Sequence, residues 1–394
     1  MKKLFISLFI FVSTFTTNTL AEIKVGIILG FTGPIESVTP AMAASAELAF
    51  KEASDSGLLL DGETISVVRG DSTCVETVAT AIAKTVISQG VVSIIGGTDC
   101  PGVTLAIASN VAVPNGVVMI SPSATSPELT TLDDKGFFFR TAPSDARVGE
   151  ILADITKDRR VKSVAITYTD NDYGKGLADV YAAAMKVHGI KVTIVSGHED
   201  KKADYSSEVA ILAAVGGDAL AVIGYLDQGG KGIIQASLDS GAFDKFILSD
   251  GMIDESLTDA FGKDLNNSFG LMPGSMNKKT AGTFATVAKA SGINSSAPYT
   301  RESYDAAALI VLAIQAGGSA DRDSIAKNVM DVANSPGTKI YPGELKKGLD
   351  LLAKGKQVDY EGATGVTFTE IGEAEGSFLE KEIKDGKFKN KKQR

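Results

Sequence analysis

Short apolar runs rich in β-branched residues alternate with longer segments of helical periodicity along most of the chain. The first four runs lie at residues 23–29, 64–70, 91–96 and 117–120. Residues 41–54, residues 77–89 and a stretch reaching Ala108 have the spacing of helices that bury one face. The strand-like runs are apolar on both faces, as in parallel strands covered by helices on both sides. The alternation therefore predicts a doubly wound α/β domain.

The same alternation breaks at "FFFRTAPSD" (137–145) and then starts again. The new strand-like runs are 163–168, 192–196, 220–225 and 246–249, and the helical segments between them are 175–187, 206–214 and 230–239. A second break follows at "FGLMPGSMN", around Pro273. The middle of the chain therefore predicts a second domain of the same class.

The C-terminal third has three helical segments, 278–290, 302–316 and 322–333, and few strands. Because these helices have no sheet of their own to cover, we expect them to return to the first domain. The final stretch reads as strands with a hairpin at Asp385-Gly386, and we expect it to cross to the second domain. These expectations give a first lobe of 22–141 and 275–368 and a second lobe of 142–274 and 369–394. Crossings at 140–143, 271–274 and 368–371 would act as hinges beside a cleft.

Residues 1–21 have the features of a secretory signal peptide. Lys2 and Lys3 precede a short apolar run, and small and polar residues follow up to Ala21. The apolar run is too short to span a bilayer, and no cysteine near the cleavage point offers a lipid attachment site. We therefore expect a soluble protein exported to the periplasm.

Composition argues against several classes of function. The 394 residues are 44% hydrophobic and 22% charged with a net charge of −9, which argues against both disorder and nucleic-acid binding. The mature chain has two histidines, His188 and His198, and neither belongs to a metal-binding or catalytic motif. We expect no enzyme activity, no cofactor and no metal. Cys74 and Cys100 follow the runs 64–70 and 91–96; if those are neighbouring strands, the two thiols can meet and form a disulfide after export.

Polar side chains follow several strands at the edge where α/β proteins bind ligands. In "GVVMISPSATSPELT" (116–130) a buried strand leads into four hydroxyls between two prolines, of which Ser123 and Thr125 suit a carboxylate. Asp250 follows another strand and suits an ammonium group, with Tyr173 and Tyr225 at further strand ends. Tyr173 is placed just before a helix start. Together these groups predict a site for a zwitterion.

The order of four motifs in this chain resembles that in the leucine/isoleucine/valine-binding proteins of ABC transporters. The motifs are "ISPSATSPEL", "NDYGKGLAD", "LSDGM" and "SYDAAALIVLA". These are type I periplasmic binding proteins, and the resemblance covers nearly the whole mature chain. It implies a two-lobed, Venus-flytrap receptor that closes on an amino acid. It also implies delivery of that amino acid to an inner-membrane permease.

The resemblance assigns roles to single residues. It implies carboxylate binding by Ser123 and Thr125, ammonium binding by Asp250 with Tyr225 beside it, and an aromatic wall at Tyr173. It also implies a Cys74–Cys100 disulfide.

Three positions depart from the leucine-type pattern. Pro101 stands where that type has a carboxylate-binding serine, Asp99 where it has an apolar residue near the ligand side chain, and Val38 where it has an aromatic at the pocket mouth.

Our leading interpretation is a monomeric solute-binding protein for a branched-chain or other small neutral amino acid. If Asp99 faces the cleft, a polar or cationic amino acid should be preferred. A receptor of the same fold for an amide, urea or small carboxylate remains an alternative. A ligand sensor and an exported enzyme are further alternatives of other classes.

Overall fold

The computed structural model describes residues 22–97, 100–274 and 278–394, so the predicted signal peptide and Asp99 lie outside the described residues. The strands in chain order are β1 (Glu22–Leu29), β2 (Thr64–Asp71), β3 (Ser93–Gly96), β4 (Val118–Ser121), β5 (Phe138–Arg140), β6 (Ser163–Thr169), β7 (Lys191–His198), β8 (Ala219–Ile223), β9 (Phe246–Leu248), β10 (Phe269–Pro273), β11 (Thr338–Ile340), β12 (Val358–Tyr360), β13 (Phe378–Lys384) and β14 (Lys387–Gln393). The helices are α1 (Thr39–Asp55), α2 (Glu76–Ser88), α3 (Pro101–Ile107), α4 (Asp145–Asp158), α5 (Asp172–Val187), α6 (Ser206–Val215), α7 (Lys231–Ser240), α8 (Glu255–Phe261), α9 (Lys278–Ala290), α10 (Thr300–Gly317), α11 (Arg322–Ala333) and α12 (Leu345–Ala353).

Two separate sheets define two lobes. The first sheet has the order β2-β1-β3-β4-β5, and its strands are all parallel. The second has the order β14-β13-β10-β9-β8-β6-β7, with β13 and β14 added antiparallel to the parallel strands. In each sheet the first five strands of the lobe follow the order 2-1-3-4-5 of doubly wound folds. The predicted fold class, two doubly wound α/β lobes, is confirmed.

Helices cover both faces of both sheets. α1 and the C-terminal helices α9–α12 pack on one face of the first sheet, where α10 is buried along nearly its whole length. α6, α7 and α8 cover the outer face of the second sheet. A third apolar cluster contains α2 and α3 of the first lobe together with α4 and α5 of the second. The two lobes therefore share a continuous buried contact.

Several local predictions need correction. Phe138–Arg140, read as a break, forms the short edge strand β5 of the first sheet, and β11, β12 and α12 were not predicted. Strands β2 and β3 are not neighbours, because β1 lies between them. Helix α5 starts at Asp172, so Tyr173 lies in its first turn. The earlier start is explained by Asn171, whose side chain accepts a hydrogen bond from Gly174 N at 2.9 Å.

The three crossings between the lobes lie side by side. Arg140 N donates to Gly372 O at 3.1 Å, and Ala374 N donates to Arg140 O at 3.0 Å, which joins the first and third crossings. Gly274 N donates to Ser377 O at 2.8 Å, which joins the second crossing to the third. Backbone hydrogen bonds therefore link the three crossings to one another.

Candidate functional site

Asp250 is the centre of a buried cluster of phenols. It begins a short 3₁₀ turn directly after β9, and its side chain is buried. Tyr173 OH donates to Asp250 Oδ1 at 2.7 Å, and Tyr299 OH donates to Oδ2. The rings of Tyr173 and Tyr225 stack with their centroids 5.3 Å apart. The structure therefore brings together the three residues that sequence analysis assigned to the second lobe.

Tyr299 was not predicted. It precedes α10, packs with the first lobe and has a left-handed backbone (φ 55°). Its hydroxyl reaches Asp250 of the second lobe, so the carboxylate is held from both sides of the cleft. Two smaller contacts also join the lobes, Gln228 Nε2 to Pro34 O at 3.4 Å and Ser37 Oγ to Asp227 Oδ2 at 3.5 Å. The structure is thus a closed form.

Gly251 allows the backbone beneath Asp250 to pack closely. A Cβ atom there would lie 2.5 Å from Gly224 O and 3.4 Å from Tyr173 OH. Only glycine leaves room for β8 and β9 to end this close together. The glycine in "LSDGM" therefore has a steric role in placing the carboxylate.

The hydroxyl-rich loop after β4 has mostly internal partners. Ser121 Oγ donates to Gly97 O at 3.0 Å and accepts from Ala124 N at 3.1 Å. Ser126 Oγ accepts from Glu128 N and so caps the short helix that starts at Pro127. These two hydroxyls stabilise the loop itself, which leaves Ser123 and Thr125 as the candidates for ligand binding.

Arg140, which sequence analysis assigned only to a hinge, organises this loop. Its fully buried guanidinium donates to Ala124 O at 3.2 Å, to Ser126 O at 2.9 Å and to Thr130 Oγ1 at 2.8 Å. It also pairs with Glu373 of the third crossing. One side chain therefore ties the hydroxyl loop to two of the three crossings.

Ser123 and Thr125 differ in their environment. Ser123 Oγ is buried and has no hydrogen-bond partner among the residues that the structure describes. Thr125 Oγ1 instead donates to Asp145 Oδ2 at 2.7 Å, and Asp145 N donates to Thr125 O at 2.7 Å. Thr125 thus connects the first lobe to the start of α4, whereas Ser123 makes no such connection.

Asp145 is a buried carboxyl that sequence analysis missed. Burial, together with the negative charge of Asp250, raises its pKa to about 8, against the hydrogen bond from Thr125 and the charge of Arg140. Burial also raises the pKa of Tyr173, with the charges of Asp250 and Asp145 adding to the effect. Asp145, Tyr173 and Asp250 therefore form one electrostatically coupled group.

The disulfide is confirmed, although not by the predicted route. Cys74 and Cys100 are bonded with their Cα atoms 5.7 Å apart. Because β1 separates β2 from β3, the bond spans the end of β1, where Gly30 leaves room: a Cβ there would lie 3.1 Å from Cys74 Sγ. Pro101 starts α3 immediately after the bond.

A cavity of about 560 Å³ opens beside the phenol cluster. Tyr225, Gly251, Tyr299 and Val38 are among the residues that line it. Both lobes contribute further residues: Pro34, Ile35, Ser37, Leu226, Asp227, Lys231 and Ile253 are among them. Its volume is in the range of ordinary small-molecule sites.

Each of the two histidines has a partner outside the phenol cluster. His198 is buried at the end of β7 with Nδ1 2.8 Å from Thr167 Oγ1, and burial lowers its pKa to about 4. His188 Nε2 lies 2.7 Å from Asp154 Oδ1 at the end of α5. Both have local structural partners. In the described part of the chain, no helix has the length and apolar character needed to cross a membrane.

Fold and site together define a two-lobed solute receptor, and comparison with known proteins specifies the family. The chain belongs to the periplasmic binding protein family, whose model, described as "Periplasmic binding protein", matches residues 22–368. It is 30% identical over 322 residues to Leu/Ile/Val-binding protein homolog 1 of Brucella melitensis, covering 80% of this chain and 84% of that protein. The resemblance noted in the sequence is thereby confirmed.

Two solved structures share the fold. The branched-chain amino acid transporter substrate binding protein LivJ of Streptococcus pneumoniae, in complex with isoleucine, has a TM-score of 0.78 and 21% identity, over 93% of this chain and 98% of that one. A solute binding protein of an ABC transporter from R. palustris, in complex with benzoate, has a TM-score of 0.76 and 18% identity, over 94% and 95% of the two chains.

Proposed function

We propose that this protein is the periplasmic substrate-binding component of an ABC transporter and captures an amino acid between its lobes. A branched-chain or other small neutral amino acid is the ligand we favour, to be delivered to an inner-membrane permease. The observation that carries the proposal is the buried Asp250 carboxylate, held by Tyr173 from its own lobe and by Tyr299 from the other. The relative from Brucella melitensis supports the ligand class through its name.

In this proposal the α-ammonium group of the ligand binds Asp250. A carboxylate has about four lone-pair sites, so Asp250 can accept from an ammonium group while it keeps both phenol donors. The α-carboxylate takes the hydroxyl of Ser123, which is buried and otherwise unpartnered in the described structure. Tyr225 packs on Tyr173 and would cover the ligand from the second lobe. Charge-assisted hydrogen bonds of this kind contribute roughly 1.5–3 kcal/mol each.

The ligand side chain would extend into the 560 Å³ cavity past Tyr299. Its walls are apolar at Ile35, Val38 and Ile253, which suits an aliphatic side chain, and also carry the Asp227–Lys231 ion pair. Because that pair is already satisfied at 2.9 Å, it makes no demand for a charged ligand. A small neutral amino acid therefore remains our proposal over a polar or cationic one.

Closure would occur about the three crossings. We propose that residues 22–141 and 275–368 move as one lobe and residues 142–274 and 369–394 as the other. Support comes from the two separate sheets and from the backbone hydrogen bonds that keep the crossings together. Ligand binding would then stabilise the closed form, in which Tyr299 meets Asp250.

Isothermal titration of the exported protein with leucine, isoleucine, valine, alanine, acetamide and benzoate tests the proposal. At least one amino acid should bind, and at a hundred times its dissociation constant it should add about 2.7 kcal/mol to stability in a parallel thermal scan. Asp250→Asn serves as the matched variant, since it keeps the shape of the side chain and removes the charge. Tight benzoate or acetamide binding with inert amino acids would contradict the proposal.

A further inference from the structure

A second, smaller cavity lies beside the second crossing between the lobes. Its volume is about 80 Å³, and because a buried water needs only about 10–15 Å³, the cavity has room for an ion of a few heavy atoms. Ser296 and Arg301 line it from the start of α10 and the loop before that helix. Pro273, Lys381 and Asn390 line it from strands β10, β13 and β14 of the second sheet. Both lobes therefore contribute to the cavity, and several of the lining side chains can donate hydrogen bonds.

The two cations of this cavity are not used in the ion pairs of the neighbouring sheet edge. Three other cations, Arg159, Lys391 and Arg394, bind the two glutamates of β13. Arg301 and Lys381 line the cavity and make no ion pair with any residue in the described part of the chain. Their charges are therefore available to a ligand.

The charges of these two residues act on each other. Burial and the charge of Arg301 together lower the pKa of Lys381, against the charge of Glu255. Glu302 is the only acid among the described residues that line the cavity. Burial raises the pKa of Glu302 to about 7, against its own backbone N–H and the charge of Arg301, so it is only partly charged at neutral pH. An anion between the two cations would relieve their repulsion.

This cavity shares part of its wall with the candidate ligand site. Ala297 and Tyr299 line both cavities. Tyr299 also donates to Asp250 of the second lobe, which is the contact that joins the lobes across the cleft. A group that draws Arg301 towards Lys381 therefore acts on the segment that carries this phenol, and in the direction of closure.

We propose that this cavity binds a small oxyanion of the phosphate or sulfate type between Arg301 and Lys381, and that the bound anion stabilises the closed form. An anion site here does not depend on which solute the cleft binds, and so it goes beyond the proposed function. The guanidinium of Arg301 offers a planar pair of donors to an oxyanion, and the ammonium group of Lys381 offers a point charge. Because these donors belong to different lobes, the anion should bind the closed form more tightly and shift the equilibrium towards it.

Isothermal titration of the exported protein with sodium phosphate, without amino acid and at fixed ionic strength, tests the site at pH 7.5. We expect saturable binding of one phosphate ion per chain. Arg301→Met and Lys381→Met should each weaken it roughly ten- to hundredfold, because each removes a charge-assisted hydrogen bond. Lys387→Met is the matched control. It removes the same charge from an exposed position of β14 that does not line the cavity, and it should leave the phosphate affinity unchanged.

Small-angle scattering under the same conditions tests the effect on closure. Saturating phosphate should reduce the radius of gyration of the wild type and leave that of Lys381→Met unchanged. Absence of saturable phosphate binding overturns the anion site. An equal loss of affinity in Lys387→Met also overturns it, because general charge attraction would then explain the binding. Phosphate binding with an unchanged radius in the wild type overturns the role in closure.

The anion site and the proposed function can fail separately. If phosphate binds as described while every amino acid is inert, the proposed function fails and the anion site stands. If amino acids bind and phosphate does not, the reverse holds. Either Arg301→Met or Lys381→Met is sufficient for the comparison with Lys387→Met should the other variant not fold.

Discussion

Removing the hydroxyl of Tyr299 should weaken both closure and ligand binding. Tyr299 and Tyr173 each donate one hydrogen bond to the same carboxylate, Asp250, but only the bond from Tyr299 crosses between the lobes. Tyr299→Phe and Tyr173→Phe therefore form a matched pair that changes one oxygen atom each. Both variants keep their aromatic rings, so the stacking of Tyr173 on Tyr225 persists in either case.

The expected loss of binding free energy follows from the charge on the acceptor of this hydrogen bond. A hydrogen bond to a charged acceptor contributes about 1.5–3 kcal/mol, which corresponds to roughly a ten- to hundredfold change in an equilibrium constant. In Tyr299→Phe that loss should fall on the closed form alone, because opening of the cleft would separate the lobes that carry Tyr299 and Asp250. Leucine affinity should fall by this factor, and small-angle scattering of the unliganded variant should give a larger radius of gyration than that of the wild type.

Tyr173→Phe provides the comparison. Tyr173 and Asp250 lie in the same lobe, so this variant should leave the unliganded radius of gyration unchanged even if it binds leucine more weakly. The reasoning is refuted if Tyr299→Phe binds leucine as tightly as the wild type. It is also refuted if the two variants change the radius of gyration equally. The protein contains no tryptophan, so a single tryptophan placed at the cleft mouth would report closure independently by fluorescence.

Four further outcomes are expected. Asp250→Ala should lose about 3–5 kcal/mol of ligand binding by calorimetry, because a buried cation would be left unpaired, and unchanged affinity would exclude Asp250 from the site. Alkylation of the denatured, unreduced protein should label neither Cys74 nor Cys100, and two labelled thiols would contradict the disulfide. Replacing both cysteines should lower the free energy of unfolding by about 3 kcal/mol in a urea titration. Without ligand, the free energy of unfolding should fall by up to about 1.4 kcal/mol per pH unit as the pH rises from about 4 to 8. The reason is that burial lifts the pKa of Asp145 from 3.8 to about 8, so that the folded state holds a proton that the unfolded state has lost. Asp145→Asn should flatten this slope, and an equal slope in the variant would assign the slope to another group. Arg140→Met should lower the free energy of unfolding by about 3–5 kcal/mol, since it leaves Glu373 and two carbonyls unpaired, and a change below about 1 kcal/mol would argue against its organising role.

Local patterns indicated the strand-end residues of the candidate site. Tyr225 and Asp250 follow apolar runs, and parallel strands expose their carboxyl ends at one edge, so the sequence alone places both residues at a cleft. The same rule placed Ser123 and Thr125, but it could not say which hydroxyl was engaged. That distinction depends on Asp145, which reaches Thr125 across the lobes.

Sequence patterns gave little indication of the structural roles of three residues, for different reasons. They are Tyr299, Asp145 and Arg140. Tyr299 follows no strand and reaches the cleft only because α10 returns to the first sheet. Asp145 looks like an ordinary acidic residue in the first turn of a helix, where a negative charge is favoured at the surface. Arg140 ends a three-residue strand and looks like a solvent-exposed hinge charge, whereas it is fully buried.

Hydrophobic periodicity and the order of elements determined the fold class of this protein. Buried parallel strands and the helices that cover them each require a characteristic local pattern of apolar residues, which can be read from the sequence. Strand order was decided only in three dimensions: the chain places β1 between β2 and β3, so the disulfide closes over an intervening strand. The closed cleft was likewise decided by tertiary structure. Asp250 gains a donor from the opposite lobe and its charge acts on Asp145, through packing between segments that are far apart in the sequence.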